Sequence, residues 1–103
     1  MNKPENLQRD YRAAFLRYLV RRDEAALHRG YLIGRSAVAQ GTSILDLALV
    51  HHEAFLEVLR DTRGEDLNRI ATAASEFFIE VLATAEMTQR GFLARSQITE
   101  PQA

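Results

Sequence analysis

A proline-free stretch from Glu65 to Arg95 constrains this chain more than any other feature. Leu67, Ile70, Ala74, Phe77/Phe78, Val81, Ala85, Thr88 and Phe92 recur in it every three or four residues. That spacing predicts one helix with one buried face. At 1.5 Å per residue the helix would be about 45 Å long, against about 27 Å for any other in the chain. A short bundle cannot cover it from end to end. Its far end must be solvated, frayed or covered by a second molecule.

The remaining sequence supplies three shorter helices. The first runs from about Pro4 to Val20, with proline suited to a first turn whose N–H would go unpaired anyway. Leu7, Tyr11, Ala14/Phe15, Tyr18 and Leu19 form its apolar stripe, and Arg21 and Arg22 complement its negative pole. Asp23 caps a second helix reaching Gln40, and Gly41 supplies a left-handed stop. Gly30 and Gly34 inside this helix each cost about 1 kcal/mol relative to alanine. Close approach by a neighbouring helix would compensate, either as a crossing within the chain or as a dimer contact. Thr42-Ser43 opens the third helix, with Asp46 near its first free amides, and Arg63-Gly64 ends it. Every residue from Ile44 to Val50 except Asp46 is apolar, followed by Phe55, Leu56, Val58 and Leu59. One stripe cannot hold so many, so this helix should be buried on two sides, at the centre of the monomer or at a subunit interface. Short loops make consecutive helices antiparallel. The expected fold is all-α, an antiparallel four-helix bundle with a long C-terminal helix, dimeric. Residues 1–95 form the domain, and residues 96–103, polar and ending near Pro101, form a loose tail or linker stub.

Composition narrows the function. A chain of 103 residues holds one core. It has no cysteine, which removes disulfides, thiol catalysis and thiolate metal sites. No run is long and apolar enough to span a membrane, and Met1–Glu5 lacks an export core, so a cytoplasmic location is expected. Residues 1–40 carry eight basic and four acidic side chains, whereas residues 41–103 carry five and ten. The halves can meet across helix seams, or a basic face can attract an acidic partner. Nothing resembles a phosphate-binding footprint, so nucleic acid is not expected.

Titratable groups cluster only at His51-His52-Glu53. Adjacent helical residues point about 100° apart, so the two imidazoles cannot chelate one metal as an i,i+4 pair does. One histidine should face the core seam and the other water. A phosphorelay role for His51 or His52 is the alternative function. The lysine and glycine that follow the acceptor in histidine phosphotransfer domains are missing, however, as is the proline expected downstream in dimeric histidine kinases. Glu86 and Arg90 have the order and spacing of a helical ion pair. Met87 and Phe92 beside them add the adaptable apolar chemistry of partner-binding surfaces, although core packing explains the same spacing. No nucleophile–base pair, phosphate-cradling loop or paired carboxylate is present. An enzyme is not expected, nor a metal or cofactor.

Several segments together resemble the N-terminal regulatory domain of RsbU-type phosphatases. They are Asp23-Glu24-Ala25-Ala26-Leu27, Tyr31-Leu32-Ile33-Gly34-Arg35, Gly41-Thr42-Ser43-Ile44-Leu45-Asp46-Leu47, His51-His52-Glu53-Ala54, Phe77 to Glu80, and Glu86-Met87-Thr88-Gln89-Arg90-Gly91-Phe92. The likeness covers most of residues 7–95, and the last segment is its most specific part. It also looks like the C-terminal helical bundle of the clock protein KaiA. The resemblance implies a homodimeric module that accepts a kinase-like switch protein of the RsbT type. That docking activates a manganese-dependent serine phosphatase, which frees a sigma factor in a stress response. The positions that match place partner binding at Glu86, Met87, Arg90 and Phe92, joined by His52 and Glu53, with the dimer seam along the third helix and the overhanging part of the last. No phosphatase domain follows Ala103 in this sequence, so the expectation is an excised domain or a free-standing adaptor.

Overall fold

The sequence resolves into four helices, α1 (Pro4–Arg21), α2 (Glu24–Ala39), α3 (Ile44–Arg60) and α4 (Gly64–Thr99). They are seen in a computed structural model that describes residues 4–99. The boundaries follow the local chemistry. Asp23 Oδ1 accepts the Ala26 N–H at 2.9 Å, and Ser43 Oγ accepts the Asp46 N–H at 3.0 Å, each satisfying an amide that has no partner inside its helix. Gly41 follows α2 at φ +89°, in the left-handed region that glycine enters without strain. Arg22 takes the equivalent turn after α1 at φ 53°, its N–H returning to the Tyr18 carbonyl at 2.8 Å. Helix α4 passes Arg95 and continues to Thr99. The remainder of the expected tail, residues 100–103, lies outside the described residues.

Consecutive helices are antiparallel, so α1 and α3 run one way and α2 and α4 the other. Pairing in register from Gln8–Glu53 to Arg12–Glu57 fixes α1 alongside α3. Helices α1 and α4 form the central pair, with α2 and α3 on opposite sides of it and barely touching each other. The closest approach is between α2 and α4. A Cβ added at Gly30 would stand 3.0 Å from the Phe77 ring, and one at Gly34 would run into the Val81 carbonyl oxygen. The two glycines therefore serve a crossing within the chain.

Tyr11, Phe15, Leu47, Phe77 and Val81 are fully buried and define the centre of the core. The Tyr11, Phe15 and Tyr18 rings of α1 converge on Phe77 with centroid separations of 5.3, 5.8 and 5.9 Å. Phe77→Ala would leave a large void at this point, a loss of about 3–5 kcal/mol. Charges meet across the seams: Arg12 with Glu57 at 2.6 Å and Arg22 with Glu76 at 2.7 Å. The basic first half thus pairs with the acidic second half.

Of two expectations about burial, one loses an alternative and the other holds. Helix α3 is not central in the monomer. Leu47, Val50, His51 and Ala54 are buried, whereas Leu45, Leu49 and Leu56 on the opposite side are exposed. The α4 stripe is also covered only over its middle. Ala73, Ala74, Phe77, Val81, Thr84 and Ala85 are buried, but Leu67 at one end and Phe92 at the other are open. With three partners of 16 to 18 residues against 36 in α4, the bundle ends before the helix does. The molecule measures 62 × 24 × 20 Å.

Candidate partner-binding surface

Among the described residues, Ala85 is the last buried position of α4. The helix runs on for about 20 Å to Thr99. No proline or cap interrupts it, and local contacts support the projecting turns. Arg90 Nη2 donates to Glu86 Oε2 at 2.6 Å, and the Arg95 guanidinium lies 5.2 Å from the centre of the Phe92 ring. Thr84 and Thr88 turn their hydroxyls back onto the carbonyls of Glu80 and Thr84, both at 2.8 Å. The Glu86–Arg90 pair is solvated on both sides and stabilises the helix by a few tenths of a kcal/mol.

Phe92 continues the line of Ala74, Phe77, Val81, Ala85 and Thr88, so the core stripe runs past the end of the bundle. It is 40% exposed, and Met87 on the neighbouring face is 65% exposed. Leu93, which the sequence reading did not single out, is also open. Between this end of α4 and α2 lies a shallow groove of about 220 Å³ lined by Tyr31, Arg35, Thr84, Met87, Thr88, Gly91 and Arg95. His28 stacks on Tyr31 at its edge, centroids 5.4 Å apart. Aromatic, methionine and arginine side chains around a partly apolar groove are the composition of protein-binding surfaces. Tyr31 and Arg35 entered the sequence reading only as part of a resembling segment. That α2 lies against α4, which brings them beside Met87, was not legible there.

Glu86, Met87, Arg90 and Phe92 thus share the projecting end of α4. His52 and Glu53 lie elsewhere, near the middle of α3. Glu53 is turned toward α1, where Gln8 Nε2 donates to its Oε1 at 3.1 Å, and His52 is exposed on the outer side of α3.

His51 has a different environment from its neighbour. It is 9% exposed, stacked on Phe78 with centroids 4.0 Å apart and flanked by Phe55 at 5.7 Å. Its Nδ1 shares a 2.6 Å hydrogen bond with the Tyr11 hydroxyl. Burial, with a smaller contribution from the neighbouring His52 charge, lowers its pKa to about 4. Burial likewise raises that of Tyr11. One histidine faces the core and one faces water, as the adjacent positions require. An enclosed ring stacked on Phe78 and hydrogen-bonded to the Tyr11 hydroxyl serves the packing of the core.

No helix among the described residues is long and apolar enough to cross a membrane. The family model for the N-terminal domain of phosphoserine phosphatase RsbU matches residues 9–88. It takes in Glu86 and Met87 and stops short of Arg90 and Phe92. No curated protein and no solved structure matches the chain.

Proposed function

The chain belongs to the family of RsbU phosphoserine phosphatase N-terminal domains, and on that premise we propose that it is a homodimeric, non-catalytic docking module of a cytoplasmic partner-switching pathway. Its family is that of a regulatory domain and not of the phosphatase catalytic domain. In this reading a kinase-like switch protein seats on the projecting end of α4, and its arrival controls a serine phosphatase and, through it, a sigma factor. Residues 1–95 are the docking unit, and 96–103 are a tail or linker.

The observation that carries the proposal is the bare continuation of the core stripe. A helix that keeps Met87, Phe92 and Leu93 in water retains apolar surface that association would bury, at about 25 cal/mol per Å². Glu86 and Arg90 border that surface and would fix orientation through charge. His52 and Glu53 join the site only if the partner also reaches the outer side of α3, or if a second copy brings its own α3 beside α4.

The test is capture of a purified RsbT-type switch protein by the chain. Met87→Asp or Arg90→Glu should each weaken capture at least tenfold while leaving the helical circular dichroism unchanged. Undiminished capture by both variants would show that the partner docks elsewhere.

A further inference from the structure

The outer side of α3 carries Leu45, Leu49, His52, Leu56 and Leu59, spaced alternately four and three residues apart over about 21 Å. Leu45, Leu49 and Leu56 are 67%, 52% and 40% exposed, and no charged residue interrupts the line. This is a second seam, opposite the face that α3 packs into its own core. Its spacing is close to symmetrical: Leu45 and Leu59 lie seven residues either side of His52, with Leu49 three before it and Leu56 four after it.

Resting on the homodimer reading above, we infer that α3 packs antiparallel against α3 of a second copy, with the two-fold axis passing between the two His52 side chains. Leucine then meets leucine at every other level. The two imidazoles are self-complementary, since a ring N–H of one can donate to a bare ring nitrogen of the other. Charge selects the direction. Asp46 and Arg60 each follow a seam leucine by one residue and so lie on the same flank; neither closes a salt bridge within its own chain among the described residues, although the Arg60 charge reaches Glu57. Antiparallel pairing brings Asp46 of one copy to Arg60 of the other at both ends. Parallel pairing would put the two flanks on opposite sides of the seam and leave both charges without a partner. Glu53, on the same flank near the axis, has its carboxylate turned aside to Gln8.

The absence of cysteine makes the register measurable by cross-linking. His52→Cys should oxidise to a covalent dimer, because only a residue at the axis meets its own copy. Leu45→Cys and Leu59→Cys should stay monomeric on a non-reducing gel when oxidised singly and should cross-link when mixed. Leu45 and His52 are exposed and Leu59 is half-buried, and circular dichroism confirms that each variant is folded. Cross-linking of every single variant to itself would mean a parallel seam and would overturn the inference. No cross-linking from any of them, with the unmodified chain still scattering light as a dimer, would place the seam elsewhere and leave the homodimer standing. A monomer at high concentration would remove both.

Discussion

His51 shows how far a single residue departs from its sequence neighbourhood. In the series His51-His52-Glu53 nothing marks which ring is enclosed, yet one is sealed between Phe78 and Phe55 and the next lies in water. Periodicity supplied the contrast, since adjacent positions differ by about 100° around the helix. The Tyr11 hydroxyl at His51 Nδ1 was not foreseeable, because it joins residues 40 apart in the chain. Unfolding frees this imidazole to bind a proton at its ordinary value near 6.5, whereas the folded protein resists until about pH 4. The unfolded state therefore holds more protons between those values. The contribution to stability is complete above about pH 6.5 and is lost as pH falls toward 4. Urea denaturation should show a fall of about 1.5 kcal/mol between pH 6.5 and 5. Phenylalanine at both positions, Tyr11→Phe with His51→Phe, should flatten that slope; an unchanged slope would assign it to other groups. Glu57, whose carboxyl is held below the usual range by its hydrogen bond from Arg12, adds its acid sensitivity only at lower pH.

Elements were the most legible scale. The caps at Asp23 and Ser43, the stop at Gly41 and the apolar spacing of α4 each have a local cause and stand where that cause puts them. What the sequence could not separate was the use of each apolar residue. A leucine on α3 looks the same whether it faces the core, as Leu47 does, or solvent, as Leu49 does. The Gly30/Gly34 pair indicated a close neighbour without identifying it. Contact with α4 makes two opposite predictions for Gly→Ala changes. Gly34→Ala gains helix propensity but drives a methyl group into the Val81 carbonyl, so it should lower stability by about 2 kcal/mol or more. Gly91→Ala meets only the end of the Arg95 side chain, at 3.8 Å, and should raise stability by about 0.5–1 kcal/mol. Thermal melts of the two variants, read against the parent chain, check both signs.

For the whole molecule, the mismatch between one long helix and three short ones was plain from the sequence, because proline-free length converts directly into ångströms. The placement of the candidate site was only half legible. Glu86, Met87, Arg90 and Phe92 share one helix end, but the contribution of Tyr31 and Arg35 depends on which helix lies beside which, a property of topology and not of spacing. If the exposed leucines of α3 are buried in a homodimer, folding and association are linked. The thermal midpoint should then climb with protein concentration. A midpoint that stays fixed over a hundredfold dilution would argue for a self-sufficient monomer.

The fit of Gly34 against the Val81 backbone has a mechanical corollary. With so little clearance, α4 can neither slide along α2 by a residue nor roll against it without collision. The two helices are therefore one stiff limb, and the bare tip is its handle. A partner that grips the tip, some 20 Å beyond Ala85, therefore acts on the bundle through the α2–α4 contact.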